Sequence, residues 1–325
     1  MNVDKSSIKK IYEISEIIRH SKTFFIAGHV NPDGDSLGSG LALTSVLNRL
    51  GKRAYIYCTD EIPFFLRFLK GSDKIKKNVK STDIFDCAII LESMDFSRMG
   101  NIIAHNQAKK IINIDHHLTY TNFGSINYIA SYSASTAELV LNILEYMKVE
   151  LTKSEATSLY TGILTDTGCF QQINTTSSSH IACAKLIRCG INVNEIYKKI
   201  YENDSINALK LKGLALCKIK TLFDNKFSYI VLTKDMFKKS NAGENDAEGI
   251  VNYSLKIRGV KVGCLFKEID KKTTKISCRS VENFDLLEVV KMFGGGGHRN
   301  AAGCTIRAGL SASIKLIINV LREKI

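Results

Sequence analysis

Residues 23–50 read TFFIAGHVNPDGDSLGSGLALTSVLNRL, and this stretch decides the fold. Its first seven residues, Thr23–His29, form an apolar run that predicts a buried strand. The segment Leu37–Leu50 has the apolar spacing of a helix, and a short polar loop separates the two. A strand, a loop and a helix in this order begin a βαβ unit, in which neighbouring strands run parallel.

The same alternation continues through the first half of the chain. Further apolar runs predict strands at Ala54–Cys58, Cys87–Glu92 and Lys110–Asp115. Helical patterns follow from about Ser135 to Cys189, and Gly190 suits a helix C-cap. We therefore expect the α/β class, with a doubly wound, mostly parallel sheet.

The second half of the chain predicts another, smaller α/β domain. Its strand-like runs are Ser228–Leu232, Lys261–Phe266 and Lys275–Cys278, and its helical patterns are Ala247–Lys256, Leu286–Phe293 and Ser311–Arg322. A helical stretch from Asn194 to Cys217 contains no obvious breaker and is expected to connect the two halves. We therefore place the domains at residues 1–195 and 216–325, with a helical connector at residues 196–215.

The composition limits the class of protein. With 325 residues and 45% hydrophobic content, the chain can build two ordinary cores without disulfides. Its nine cysteines are odd in number and are never spaced as Cys-x-x-Cys, which favours neither a zinc ribbon nor a redox pair and suits a reducing cytoplasm. No apolar run reaches membrane-spanning length, so we expect no membrane partner.

The net charge of +13 is compatible with anionic substrates. Only 11 of the 45 basic residues are Arg, and the densest run, KIKKNVK at residues 74–80, is typical of a solvated face. A general RNA-binding protein is a hypothesis that rests on this charge alone.

Chemically active side chains follow the predicted strands. His29, Asp33 and Asp35 come after the first strand, although a loop with Asn, Pro, Asp and Gly also suits a simple turn. Asp115-His116-His117 closes the fourth strand, and Asp166 ends an apolar helical segment, where an unpaired carboxylate would be costly. Ligands of open α/β sheets bind beyond the carboxyl ends of the strands. Imidazoles and carboxylates without thiolates favour Mn²⁺ or a similar ion over structural zinc.

Asp115-His116-His117 is the motif after which the DHH phosphoesterases are named, and the chain resembles that family, with its four motifs in family order. The run GGGGHRNAAG at residues 294–303 resembles the glycine-rich domain that accompanies nanoRNases and members of cyclic-dinucleotide pathways. The resemblance implies a DHH catalytic, metal-binding domain at residues 1–195 and a glycine-rich substrate-binding domain at residues 216–325. It also implies a manganese-dependent phosphodiesterase that acts in a cleft between two domains.

The resemblance further implies two sets of metal ligands that share one bridging carboxylate: His29 and Asp33 for a first ion, and Asp35, His116 and Asp166 for a second. His117 and Asp115 are the expected catalytic residues. His117 would face the scissile phosphate, and Asp115, like Asn31, would orient ligating side chains. We expect one or two Mn²⁺ ions, with Mg²⁺ or Co²⁺ as possible substitutes. Two cations about 4 Å apart can activate a shared water and stabilise both reacting oxygens.

The bridging position departs from the family pattern. The family has Asp where the third strand ends, whereas this chain reads Glu92-Ser93-Met94-Asp95. The extra methylene of Glu92 shifts the carboxylate by roughly 1.5 Å, so we expect unequal affinities of the two metal sites. Asp95 could substitute through a shifted turn but is less suited, and the alternative is a tolerated conservative change.

The glycine run and a nearby strand end supply the expected substrate-binding residues: Arg279, Ser280, Gly295, Gly296, Gly297 and His298. Glycines let the backbone approach a ligand closely, and exposed N–H groups followed by a helix start can bind phosphate. A plain flexible loop is the alternative.

The predicted reaction is hydrolysis of short oligonucleotides, or of linear dinucleotides such as pApA, to mononucleotides, as in nanoRNA degradation or cyclic di-AMP turnover. Cyclic di-AMP hydrolysis and removal of the 3′-phosphate of adenosine 3′,5′-bisphosphate are alternatives with the same chemistry. A nucleotide-binding sensor with weakened catalysis, suggested by Glu92, is an alternative of another class. The substrate is a dinucleotide or an RNA of few residues, no long nucleic acid is required, and a homodimer is left open.

Overall fold

The computed structural model describes residues 5–117, 120–281 and 284–325, and of Lys5 and His298 it describes only the backbone. The chain forms two compact units, Met1–Asn203 and Asp204–Ile325. We call them the N-terminal unit and the C-terminal unit.

The N-terminal unit contains a five-stranded sheet and six α-helices. The strands are β1 (Thr23–Ala27), β2 (Arg53–Tyr57), β3 (Phe85–Leu91), β4 (Ala108–Asp115) and β5 (Ile126–Ile129). The helices are α1 (Lys5–His20), α2 (Gly34–Arg49), α3 (Thr136–Tyr146), α4 (Lys153–Asp166), α5 (Ser177–Arg188) and α6 (Val193–Tyr201). The strand order is β2-β1-β3-β4-β5, and every neighbouring pair is parallel. The predicted α/β class with a parallel sheet is confirmed.

The two faces of this sheet are covered differently. Along β1, Phe24 and Ile26 enter a large core that they share with helices α1 to α5. Phe25 and Ala27 point to the opposite face, where a smaller core is closed by residues such as Met99 and Ile103 from loops with short 3₁₀ turns. Both faces of the central strands are therefore buried, which explains their continuous apolar runs.

Helices α2 and α4 pack unusually closely. A Cβ at Gly38 would lie 2.3 Å from the carbonyl oxygen of Ser158, and one at Gly162 would lie 2.8 Å from Asp35 Oδ1. Only glycine fits at these two contacts, because any larger side chain would force the helices apart. The close approach brings Asp35 of α2 next to the end of α4.

The C-terminal unit contains a six-stranded sheet and four α-helices. The strands are β6 (Lys220–Leu222), β7 (Phe227–Leu232), β8 (Val262–Asp270), β9 (Thr273–Ser280), β10 (Gly296–His298) and β11 (Ala301–Ile306). The helices are α7 (Ile206–Leu216), α8 (Lys234–Ser240), α9 (Leu286–Lys291) and α10 (Leu310–Arg322). The order is β10-β11-β9-β8-β7-β6, and only β7 and β8 pair in parallel. The predicted second, smaller α/β domain is confirmed as a fold.

Three local predictions are wrong. The stretch Asn194–Cys217 is interrupted after Tyr201, and a new helix begins where the Ser205 hydroxyl accepts a hydrogen bond from the N–H of Ala208. The predicted helix Ala247–Lys256 consists of 3₁₀ turns, and Gly249 takes a left-handed conformation between them. The glycine run leads into the hairpin of β10 and β11, so no helix starts after it.

In the described part of the chain, no helix is long and apolar enough to cross a membrane. All nine cysteines are free thiols.

Candidate metal centre

The candidate site lies at the carboxyl edge of the parallel sheet. His29 follows β1, Glu92 follows β3, and Asp115 is the last residue of β4. The strands β1, β3 and β4 are neighbours and parallel, so their ends meet at one edge. The chain leaves β1 toward β2 on one side and continues at β3 on the other, and such a switch point opens a crevice where ligands bind.

The first ligand set consists of His29, Asp33 and Glu92, whose ligand atoms all lie within 4.8 Å of one another. His29 Nε2 is 3.6 Å from Asp33 Oδ2 and 3.8 Å from Glu92 Oε2. His29 Nδ1 lies 2.7 Å from the carbonyl oxygen of Val30. If Nδ1 donates to that carbonyl, the lone pair of Nε2 is left for a metal, as is typical of metal-ligating histidines. Asp33 also caps α2, because its Oδ1 accepts from the N–H of Ser36 at 2.9 Å.

The second ligand set consists of Asp35, His116 and Asp166, again within 4.8 Å of one another. His116 Nε2 is 3.6 Å from Asp166 Oδ2 and 3.8 Å from Glu92 Oε1. His116 Nδ1 lies 3.3 Å from the carbonyl oxygen of Ser133, so this ring also turns Nε2 toward the carboxylates. The sequence prediction grouped these residues, and the fold brings all of them together.

Glu92 stands between the two sets. Its Oε2 faces His29 and its Oε1 faces His116, each at 3.8 Å. The residue is only 3% exposed and has a left-handed backbone with φ of 53°. This conformation is costly for a residue with a long side chain, and such strain is typically found at functional sites. Asp95, the alternative bridge, instead caps a 3₁₀ turn through the N–H of Ser97.

Carboxyl groups are crowded together in the two ligand sets, which favours a cation beside them. Burial raises the pKa of Asp35 to about 7, and the negative charge of Asp166 adds to the effect. Burial also raises the pKa of Asp166 to about 6 and that of Glu92 well above its usual value. Within the described part of the chain, His116 Nε2 and Glu92 Oε2 are buried without a hydrogen-bond partner.

The Nε2 atoms of His29 and His116 lie 3.6–3.8 Å from the neighbouring carboxylate oxygens, which is too long for hydrogen bonds. Such distances suit ligand atoms that surround one ion, each at about 2.0–2.2 Å from it. Oxygen and imidazole nitrogen donors without a thiolate match Mn²⁺ or a similar divalent ion. The residues present therefore fit the metal that the sequence implied.

His117 and Asp115 form a separate pair beside these ligands. Asp115 is fully buried, and its Oδ1 accepts from the N–H groups of His116 and His117 at 2.8 and 3.1 Å. The same oxygen lies 2.7 Å from His117 Nδ1. With the Nδ1 proton held by Asp115, His117 presents Nε2, and 31% of its side chain is exposed. Asn31, which the sequence suggests as a residue that orients a ligand, donates its backbone N–H to Asp60 at 2.5 Å.

Sequence reasoning missed how the segment Ser133–Ala137 supports the whole second ligand set. Asp35 accepts from the N–H groups of Thr136 and Ala137 at 2.6 and 2.8 Å, at the positive end of α3. The carbonyl of Ser133 faces His116, and Asn174 Nδ2 joins the carbonyl of Ala134 to Asp166 Oδ2 at 3.0 and 3.1 Å. In the sequence, Ser135–Glu138 resembles a helix N-cap with an acidic first turn and also a family segment near the site, with Glu138 as a weak candidate. The contacts with Asp35 were not predicted, because contacts across about 100 residues leave no local pattern.

The predicted substrate residues lie in the C-terminal unit. Arg279 is half-buried, its Nη1 donates to the carbonyl of Cys278 at 3.0 Å, and burial lowers the pKa of its guanidinium. The hydroxyl of Ser280 donates to the carbonyl of Phe284 and accepts from Asn300 Nδ2, so its hydrogen bonds are already internal.

The backbone of the β10–β11 hairpin itself requires glycine at two positions of the glycine run. A Cβ at Gly295 would lie 2.4 Å from the carbonyl oxygen of Gly303, and Gly297 has a φ of 137°. The N–H of Gly295 already donates to the carbonyl of Val290. Gly296 pairs with Gly303 in the hairpin, and the side chain of His298 lies outside what the structure describes.

Comparisons with known proteins agree with this architecture. Residues 23–163 match the N-terminal domain of the DHH family, and residues 225–325 match the DHHA1 domain. A Thermus thermophilus protein named bifunctional oligoribonuclease and PAP phosphatase NrnA is 29% identical over 98% of this chain and 95% of its own length. The protein MG371 of Mycoplasma genitalium is 30% identical over 93% of this chain and 91% of its own length.

A solved structure shares the complete fold. The exopolyphosphatase-related protein from Bacteroides fragilis has a TM-score of 0.91 and 29% sequence identity, over 99% of this chain and 98% of its own. The chain therefore belongs to the DHH family, and its residues 225–325 match the DHHA1 domain.

Proposed function

We propose that the chain is a Mn²⁺-dependent phosphodiesterase that hydrolyses short oligonucleotides or linear dinucleotides such as pApA to mononucleotides. The observation that carries the proposal is the pair of ligand sets joined by Glu92, with His117 beside them. The Thermus thermophilus and Bacillus subtilis relatives named bifunctional oligoribonuclease and PAP phosphatase NrnA support a short substrate.

In the proposed reaction, some residues would bind the metal ions and His117 would hold a proton. The two histidines would bind through Nε2, and Glu92 would offer one oxygen to each side. Bound divalent ions would supply a water with a lowered pKa and neutralise charge on the phosphate oxygens. Asp115 holds the Nδ1 proton of His117, so Nε2 is free to hold a proton against a phosphate or leaving oxygen.

Arg279 is the second element of the proposal. Within the described residues it has no ion-pair partner, although a half-buried guanidinium favours an anion beside it. We infer that it contacts a substrate phosphate, while the glycine-rich hairpin keeps the backbone close to the nucleotide. Arg279→Ala should raise KM roughly 10- to 100-fold, which corresponds to one charged hydrogen bond. Its metal affinity should stay unchanged, and exposed Arg258→Ala in the same unit is the matched control.

A second candidate reaction is removal of the 3′-phosphate from adenosine 3′,5′-bisphosphate, favoured by the phosphatase half of the relatives' name. Both reactions need the same metal-activated water and expel a 3′-oxygen, and they differ in whether the attacked phosphorus is a diester or a monoester. Hydrolysis of cyclic di-AMP uses the same chemistry on a larger substrate.

The test is a panel of substrates with purified protein and Mn²⁺. Initial rates and products should be measured for pApA, a five-residue RNA, a 24-residue RNA, cyclic di-AMP and adenosine 3′,5′-bisphosphate. We expect the highest kcat/KM for the dinucleotide or the five-residue RNA, with mononucleotide products. Tight binding of dinucleotide without turnover would instead identify a sensor, and binding of long RNA that survives chelation would indicate a general RNA-binding protein.

A further inference from the structure

A long groove lies beside the edge strand β2, away from the metal centre. One cavity of about 640 Å³ is enclosed by α2, β2, the segment before β3 and the start of α4. A second cavity of about 430 Å³ continues toward α6, and both have Lys70 and Ser154 in their walls. We call these two neighbouring cavities, which share Lys70 and Ser154, the lysine groove. Its described lining residues include no member of either ligand set.

The lysine groove and the metal centre occupy different parts of the same two helices. On α2, Leu41 is the lining residue nearest to Asp35 of the second ligand set. On α4, Ser158 is the lining residue nearest to Asp166, the last residue of the helix. At about 1.5 Å per residue, these separations along the helices are roughly 9 Å and 12 Å. A ligand in the groove is therefore distinct from a substrate at the metal centre.

The groove has an excess of positive charge. Lys70, Lys74, Lys76 and Lys153 line it and have no ion-pair partner among the residues that the structure describes. Of its carboxylates, Glu155 is bound by Arg49 at 3.1 Å and Glu195 by Lys199 at 2.8 Å, which leaves only Asp73 to balance the four lysines. Such a concentration of unpaired cations attracts an anion with several charges.

The position of one lysine is fixed by an aromatic ring. Lys76 Nζ lies 3.3 Å from the ring centre of Tyr55, a cation–π contact at the rim of the groove. Lys74 and Lys76 belong to the run at residues 74–80, for which the sequence suggested only a solvated face. The fold places these two lysines in the wall of a cavity.

The remaining wall favours an organic anion over an inorganic one. Leu41, Ala54 and Ile56 give the larger cavity an apolar side, and Ser45 and Ser158 add hydroxyl groups. A cavity of about 640 Å³ is within the range of small-ligand sites. A ligand with a flat apolar ring and several negative charges matches both sides of this cavity.

We propose that the lysine groove binds a nucleoside di- or triphosphate, as a second nucleotide site separate from the metal centre. The phosphates lie among Lys70, Lys74 and Lys76, and the base lies against the apolar wall. This site is independent of the proposed phosphodiesterase activity, because neither ligand set takes part in it.

The test measures binding of ADP and ATP to the full chain in EDTA by calorimetry, so that metal-dependent binding is removed. We expect binding to persist without metal and to weaken at least tenfold in a Lys74→Ala, Lys76→Ala double variant. The matched control, Lys271→Ala with Lys272→Ala, removes two exposed lysines of the C-terminal unit and should leave binding unchanged. Arg279→Ala should also leave it unchanged. Melting temperatures of all variants establish that they are folded.

Two further arms test the identity and the place of the ligand. Tripolyphosphate and adenosine should each bind more weakly than ATP, because each matches only one wall. Photocrosslinking with 8-azido-ATP should label a peptide from α2, β2 or the segment before β3. Binding that requires metal, is lost in Arg279→Ala, is insensitive to the two lysines, or is equally strong for tripolyphosphate would overturn the proposal.

Discussion

The two ligand sets of the metal centre differ in how firmly the fold holds them. In the first set, Asp33 has half of its side chain exposed and is supported by the turn that begins α2. In the second set, Asp35 is 1% exposed and is bound by two N–H groups of α3. Ligands that are oriented beforehand lose less entropy when an ion binds, so the second set should bind its ion more tightly. The more open first set is better suited to admit a water or a substrate oxygen.

The largest effect is expected when one ligand is removed from each set in a separate variant. His116→Ala should lose tight Mn²⁺ binding, and Asp33→Ala should keep one tight ion. Both should lose roughly 1000-fold in turnover at limiting Mn²⁺, since several kcal/mol of charge stabilisation disappear. Excess Mn²⁺ should restore part of the activity of Asp33→Ala only. Calorimetric metal titration and initial rates measure this.

The control for that pair is His20→Ala, which removes a histidine on the exposed side of α1. It should behave like the native chain in both assays. Near-native activity of either ligand variant at limiting Mn²⁺ would remove the proposed site.

A smaller effect should follow from loosening the second set without removing a ligand. Asn174→Ala breaks the link between Ala134 and the carboxylate of Asp166. We expect kcat to fall roughly tenfold at limiting Mn²⁺, the lower end for residues that orient a metal ligand. Saturating Mn²⁺ should recover it. Asn192→Ala, outside the centre, is the comparison, and a loss that excess metal leaves unchanged would show that Asn174 has another role.

Glu92 is shared by the two ligand sets and therefore affects the metal affinity of both. Its Oε2 lies 3.8 Å from His29 Nε2 and its Oε1 lies 3.8 Å from His116 Nε2, while its backbone is held in a left-handed conformation. We expect two dissociation constants that differ by tenfold or more, about 1.4 kcal/mol. Glu92→Asp should bring them closer, because Asp tolerates a left-handed backbone better than Glu. Calorimetry with anomalous scattering from crystals measures both sites, and two equally tight sites in the native chain would contradict the idea.

The last effect is on stability and concerns pH. Asp35 and Asp166 have pKa values of about 7 and about 6 in the metal-free fold, above their usual 3.8. The folded chain therefore holds more protons than the unfolded chain between about pH 4 and pH 7. Their contribution to stability is present below pH 4 and is lost as the pH rises through 6 and 7.

In EDTA, we expect this contribution to fall by a few kcal/mol over that range, with a shift in melting temperature of roughly 5 °C. With Mn²⁺ present, the folded chain should not lose this stability as the pH rises, since metal binding favours the deprotonated ligands. Asp166→Asn should flatten the pH dependence in EDTA, because its amide cannot titrate and can still accept from Asn174. An unchanged slope in that variant would show that other groups cause it.

Most of the fold and of the ligand list followed from local pattern. Apolar runs of five to seven residues predicted β1 to β4, and the polar residues after them predicted which side chains would share an edge. The short edge strand β5 was missed, because four residues with a half-buried pattern resemble a loop. The glycine run was read as a phosphate loop before a helix, whereas pairing with β9 makes the following residues a strand.

The sequence by itself therefore determined the α/β class and the imidazole and carboxylate residues of the candidate metal centre, which follow strands or lie at helix ends, because each depends on neighbours within a few residues. Only the tertiary structure decided how those ligands are supported. The contacts of Asp35 with α3 and of Asn174 with Ala134, and the grouping of Lys70 and Lys76 beside α4, join segments far apart in the chain. Such contacts arise from packing, which leaves no local pattern in the sequence to reveal them.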